Sequence, residues 1–399
     1  MQAIDVIGGR QLRFRGQPAV GILNQEGVLL QITKEMLGVK TRKKILYLDQ
    51  LFWSLALREE SKADEALRRI EKLLDLQLLA IPYSSIHQQE TQLWAERGAD
   101  LLAFIRTASR GHKFEPTYRV ERTQILKAFQ SFLDNASPAY LKEQHDALPG
   151  SVHEWGGAFS VSVDCTISAA EINRRRGFKQ KAINKLEKTL PEWRTSKGTF
   201  EEDVKLELRD SARILTDHYA HKTARILAGD ISALSDSPID ADIVGDMAYV
   251  LHFTPSVPLT KIGEFFNSEH FAGVPSQQLS ARLFAAFKKR VREGMFPNPR
   301  KARDKYEGFL FDVEHVATYA PYCDAFFADR FMADVMNDKK VAVEPTFSCK
   351  AFSTAHWQQF FRWLDEIESG MTAEHADALG WAYPKYRVKN LSSQSGLAL

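Results

Sequence analysis

The chain has 399 residues, 44% of them apolar and 26% charged, with a formal net charge of +2. These values exclude disordered and fibrous classes, and the length predicts two lobes or one core with a large insertion. A charge so near neutral leaves any contact with nucleic acid or membrane to local clusters.

Cys165, Cys323 and Cys349 are far apart and form no CxxC pair, which excludes a disulfide framework and a thiolate zinc site and fits a reducing compartment. The N-terminus MQAIDVIGGRQLRFRGQ lacks a continuous apolar signal-peptide region, and no run is apolar enough to span a bilayer, so a cytoplasmic protein is expected.

Residues 1–43 alternate short apolar stretches with Gly and polar residues, the pattern of a small hairpin-like preamble whose role is unreadable. Lys43 and Lys44 then introduce Ile45-Leu46-Tyr47-Leu48, a buried-strand signal that ends in Asp49. Helices are predicted over Gln50 to Arg58 and Lys62 to Leu76, the second with Ala66, Ile70, Leu73 and Leu74 on one stripe. Leu78 to Ile81 reads as a second strand ended by Pro82. Ser84 or Ser85 can then cap a helix carrying Ile86, Glu90, Leu93 and Trp94. Alternation of this kind predicts a parallel sheet covered by helices.

From Arg106 the texture is long and helical, over roughly 118–134, 168–190, 201–228 and 276–293, which reads as a helical insertion. The α/β pattern returns with a helix over Tyr306 to Tyr319, a stop at Pro321, a strand at Ala325 to Ala328 and a short helix over Phe331 to Met336. A further strand is predicted at Val341 to Val343, then an amphipathic helix over Ala355 to Glu368 and a polar tail. No repeat or low-complexity tract is present.

Open parallel sheets bind ligands beyond the carboxyl ends of their strands, so acids placed directly after apolar strands are candidates for chemistry. Asp49 follows ILYL and Asp329 follows AFFA, while Glu90 and Asp312 lie on helices next to these strands. A strand-end Asp is more often a turn or cap residue, but two such positions with two flanking acids favour a site. Carboxylates gathered without a cation repel one another and are driven toward protonation. Mg²⁺ or Mn²⁺ relieves that conflict, and such an ion can activate water against a phosphodiester.

The order LYLDQ, IPYSSIHQQE and FDVEHVATYAPYCDAFFADR resembles the PIN-like nuclease domains. The resemblance covers about residues 44–105 and 305–345. It implies that Asp49, Glu90, Asp312 and Asp329 are the catalytic, metal-binding acids, with Asp324 as an additional or substitute ligand. It also implies a metal-dependent nuclease, with RNA favoured over DNA and a role as a toxin or antiviral effector among the family's uses. The long stretch between Glu90 and Asp312 departs from a compact domain of this kind and is expected to form its own lobe.

His315 falls three residues after Asp312 and shares its helical face, although a structural histidine is the commoner outcome. His218 and His221 lack HExxH spacing and a third ligand, and read as a solvated face. Two runs are locally basic, 172–197 and 287–305. Arg174, Arg175, Arg176, Lys179, Lys288, Lys289 and Arg290 are the candidate nucleic-acid contacts, with Phe178, Trp193 and Phe296 interleaved. No Walker loop, dinucleotide fingerprint, nucleophile elbow or kinase signature occurs.

The expected protein is therefore α/β: a PIN-like parallel-sheet core flanked by helices and interrupted by a large, mainly helical insertion. Its expected parts are a preamble over 1–43, a first core segment over 44–105, an insertion over 106–304, a second core segment over 305–350, and a C-terminal helix and tail over 351–399. Nucleic acid is the expected partner, no membrane contact is expected, and a homo-oligomer is compatible with the sequence. The alternatives are a PIN-like nuclease acting on DNA, or a nonenzymatic nucleic-acid-binding or scaffold protein with a degenerate site.

Overall fold

The computed structural model describes residues 41–92, 98–150, 152–155, 189–236, 240–253, 257–295, 299–383 and 386. The preamble up to residue 40, Cys165, most of the 168–190 helix, Leu93, Trp94 and the tail from 387 lie outside the described residues.

Among the described residues the fold is α/β and mostly helical, around four parallel strands. β1 is Lys44–Leu48, β2 Leu79–Ala80, β3 Ala325–Phe327 and β4 Lys350–Phe352, in the order β2-β1-β3-β4. Ile45 pairs in register with Ala80, Leu48 with Phe327, and Phe327 with Phe352. The apolar runs are continuous because both faces of the sheet are covered. Ile45, Tyr47, Phe326 and Ala351 enter one core, while Leu46, Leu48, Phe327 and Phe352 enter the other.

The second of these cores lies under α1 (Gln50–Leu57), α2 (Ser61–Asp75), α4 (Gly98–Ala108) and, from the far end of the chain, α15 (Trp357–Ser369). Ala66, Ile70, Leu73 and Leu74 form the buried stripe of α2, as the sequence periodicity requires. Across the sheet, α3 (Ser85–Gln92), α11 (Pro275–Arg292), α12 (Pro299–Tyr319) and α13 (Arg330–Met336) contribute to the first core.

The helical stretch has a core of its own, built on Ile125, Phe129, Met247, Phe265 and Phe271. It joins α5 (Thr117–Leu133), α6 (Phe200–Leu227), α8 (Ala241–His252), α9 (Thr260–Phe266) and α10 (Glu269–Ala272), with the short α7 (Ala233–Asp236) beside α6. Part of the stretch is nonetheless fused to the sheet, because Leu279, Leu283 and Phe287 of α11 share the first core with Tyr47 and Phe326.

The strand expected at Val341 to Val343 is replaced by a turn into α14 (Val343–Phe347). Ala342 has φ 56°, a left-handed conformation incompatible with a strand. The fourth strand lies at Lys350–Phe352 instead. The chain's described part closes with α16 (Ala373–Ala382), whose His375 Nε2 lies 2.8 Å from the Leu76 carbonyl.

Candidate metal centre at the carboxyl edge

The chain steps from β1 to β2 on one side, whereas β3 and β4 lie on the other, so the carboxyl ends of β1 and β3 form the switch point of the sheet. Asp49 and Asp329 stand there. Asp49 leaves β1 with its N–H donated to the Phe327 carbonyl of β3 at 2.9 Å, and its side chain caps α1 by accepting from Gln50 N–H at 2.7 Å. Asp329 caps α13, accepting from Met332 N–H at 2.6 Å. Two helix N-termini thus each hold a carboxylate, and their dipoles favour negative charge at this edge.

Asp49 is buried, and burial together with the charge of Asp329 pushes its carboxyl up to about 7, against the lowering effect of the Gln50 hydrogen bond. The electrostatic coupling ties the two acids to one locale. Gln50 Oε1, directly after Asp49, is buried without a hydrogen-bond partner. Carboxylate oxygens are the donors that a hard divalent cation takes, so Asp49 and Asp329 fit such an ion.

Behind this edge lies an aromatic and histidine layer. Tyr47 stacks on Phe326 at 4.4 Å between ring centroids, and its hydroxyl is 2.9 Å from Ser84 Oγ. Ser84 N–H donates to His87 Nδ1 at 3.0 Å, so the proton of the neutral ring sits on Nε2, which donates to the Leu48 carbonyl at 2.7 Å. His87 therefore fixes the last peptide of β1 directly before Asp49. Burial lowers the pKa of His87 to about 4.

Glu90 is half-buried on α3, and its charge, like that of Asp49, raises the pKa of the buried Tyr47 hydroxyl, for which burial is the main cause. Asp312 is half-buried on α12, one turn before His315. His315 is fully buried 6.3 Å from the Tyr47 ring, and its Nε2 has no hydrogen-bond partner. Burial and then the neighbouring His87 lower its pKa to about 3. Asp329 thus acts on Asp49 through its charge, and Asp49 and Glu90 both act on Tyr47.

Asp324 is a correction to the expected ligand set. It begins β3 at the amino edge, where its carboxylate accepts from Lys44 Nζ at 2.7 Å and from Ile45 N–H at 2.8 Å. A strand that carries Asp329 beyond its carboxyl end cannot bring Asp324 to the same ion.

The basic candidates divide. Arg174, Arg175, Arg176 and Lys179 lie outside the described residues. Lys288 is buried, paired with Glu207 and packed over the Trp193 ring at 5.1 Å, so it is a structural cation and not a nucleic-acid contact. Arg290 lies over the Phe331 ring at 5.2 Å and donates to the Asp334 carbonyl at 2.9 Å, and burial lowers its pKa. Lys288 is thereby committed inside the fold, whereas Arg290 is half-buried. Lys289 lies 3.8 Å from Glu293 on the same helix and is part-exposed. His218 is not simply solvated, since its Nδ1 is 2.9 Å from Asp240.

The sequence placed Tyr47 in a strand, Gln50 in a helix and Ser84 at a helix cap, and gave no role to His87. The spacing that drew attention to His315, three residues from Asp312, also relates His87 to Glu90 and was the available signal.

A second acidic group, Glu143, His145 and Asp146, has ligand atoms within 4.8 Å of one another. Lys127 already fills it, with Nζ 2.6 Å from Glu143 and 2.8 Å from Asp146, and the two acids form a reciprocal capping box. This is a neutralised structural cluster. Among the described residues no helix is long and apolar enough to cross a membrane. Comparisons with family models, with curated proteins and with solved structures returned no match to this chain.

Proposed function

We propose that this chain is a PIN-like, metal-dependent nuclease with RNA as the favoured substrate, acting at the carboxyl edge of β1 and β3. The observation that carries the reading is the coupling of Asp49 and Asp329 across the switch point, where Asp49 is held against ionisation by burial and by its neighbour's charge. A carboxylate pair of this kind is costly in the empty protein and becomes favourable when a cation is held between its members.

In this reading Asp49 and Asp329 would hold Mg²⁺ or Mn²⁺, with Glu90 and Asp312 on the flanking helices. The ion supplies water activation and neutralises charge on the phosphodiester. Asp49 and Asp329 are aimed by their helix caps, and His87 fixes the peptide from which Asp49 projects. Buried free thiols at Cys323 and Cys349 agree with a reducing, cytoplasmic setting.

The test is cleavage of labelled single-stranded RNA and DNA of the same sequence, with Mg²⁺, with Mn²⁺ and with chelator. The expected result is metal-dependent cleavage that favours RNA and disappears in Asp49→Asn and in Asp329→Asn. Metal-independent cleavage, or none under any condition, refutes it.

A further inference from the structure

With Lys288 buried against Trp193 and Arg290 packed on Phe331, the described surface offers a different basic feature. A groove of about 470 Å³ runs between α6 and the α9–α10 corner of the helical stretch. One wall carries Lys205, Arg209 and Arg213, all exposed and spaced at i, i+4 and i+8 on one face of α6. Its floor is apolar, with Leu208 and Ala212 facing Phe266 and Phe271. The opposite wall is uncharged and polar, with Asn267 and Ser268, and no acid lines the groove among the described residues.

The charges of α6 are sorted by face. Asp203 pairs with Arg292 at 2.5 Å and Glu207 with Lys288, so acids on the α11 side are neutralised by α11. Lys205, Arg209 and Arg213 point the other way; Lys205 is within electrostatic reach of Glu202, and Arg213 meets Asp210 at 3.3 Å and Asp217 at 3.9 Å. Four residues of helix advance about 6 Å along the axis. That step is close to the distance between consecutive phosphates on an extended single strand, and an apolar floor suits sugars and bases beside a tracked backbone.

We propose that this groove binds the backbone of single-stranded nucleic acid, one phosphate for each cation of the α6 row. The proposal deepens the nuclease reading by naming how the strand is held, and takes only the identity of the polymer from it. A single strand is favoured over an acidic peptide because the cations form a regular row matched to a repeating anion.

The experiment is fluorescence anisotropy of the full chain with a labelled single-stranded oligoribonucleotide, in chelator, across a salt series. Lys205→Glu/Arg209→Glu is compared with Lys62→Glu, an exposed cation on α2. Loss of two phosphate contacts is expected to weaken binding about tenfold or more at moderate salt and to lower the log–log salt slope by about 1.4. Lys62→Glu is expected to match wild type, and circular dichroism and the melting temperature confirm that both variants fold. A wild-type slope in the double variant overturns the proposal, as does displacement of the oligonucleotide by polyglutamate as effective as by unlabelled RNA. Because the assay contains no divalent metal, a chain that binds through α6 but never cleaves sinks the nuclease reading alone. A chain that cleaves with an unchanged slope sinks only the groove.

Discussion

Burial and, after it, the charge of Asp329 at the end of β3 raise the pKa of Asp49 at the end of β1, across the seam where the two parallel strands exchange hydrogen bonds. Each of these acids also caps the helix that follows its strand. Capping alone would favour ionised carboxylates at both positions, so the raised pKa of Asp49 reflects burial and its neighbour overcoming the cap.

This relationship sets a pH dependence. The fold favours protonated Asp49, so the group adds stability that is complete below its unfolded pKa near 3.8 and is lost as pH rises through about 7. Asp49→Asn keeps a good helix cap and does not titrate. In chelator the variant is expected to match wild type near pH 4 and to exceed it by about 2–4 kcal/mol at pH 8. Denaturant melts at several pH values check this, and a gap that fails to grow with pH rules it out.

The buried histidines act in the opposite direction. Burial holds His87 and His112 at about 4 and His315 at about 3, below an ordinary 6.5. Their neutrality contributes stability that is complete above 6.5 and lost as pH falls through 4 and 3. His315→Phe removes one such group together with an unsatisfied ring nitrogen. It is expected to lie within about 1 kcal/mol of wild type at pH 7, or slightly above it, and to lose less stability at pH 4. A large loss at pH 7 would show that His315 makes a contact the fold depends on.

Asp324 clamps the amino edge, and Asp324→Ala is expected to cost about 1–2 kcal/mol by leaving Ile45 N–H without its partner, the exposed pair with Lys44 adding little. Divalent-ion affinity should be unchanged. A variant that loses metal binding would return Asp324 to the site.

Lys288→Met is expected to destabilise the protein by about 2–3 kcal/mol, because it leaves Glu207 poorly solvated and unpaired against α11. Nucleic-acid affinity per folded molecule should not change. Weaker binding with an unaltered melting temperature would contradict the structural role.

Much of the sheet was legible because continuous apolar runs bounded by charge or proline leave few choices. Lys44–Leu48, Leu79–Ala80 and Ala325–Phe327 all lie where that pattern points. Lys350–Phe352 escaped notice because three residues carry too little pattern, and the Val341 to Val343 run, though β-like in composition, is overridden by the left-handed turn at Ala342. Strand-end position was enough to place Asp49 and Asp329 at the carboxyl edge of the sheet. It did not reveal the role of His87, which depends on a carbonyl 39 residues earlier in the chain. In the 287–305 run, Lys288 misled for a physical reason. Lysine and arginine stems pack well against aromatic rings, so Lys288 is withdrawn from solvent over Trp193 and the half-buried Arg290 packs on Phe331.

Calorimetric titration of the metal-free full chain with Mn²⁺ tests the central claim most directly, with Asp49→Asn and Asp329→Asn measured beside wild type. Ion binding to coupled carboxylates should release protons near pH 7, because Asp49 is partly protonated there in the empty protein. The account predicts binding in wild type with a heat that varies with the ionisation enthalpy of the buffer, and its loss in each variant. Binding retained in both variants, or no binding in wild type, would contradict a shared cation site at Asp49 and Asp329.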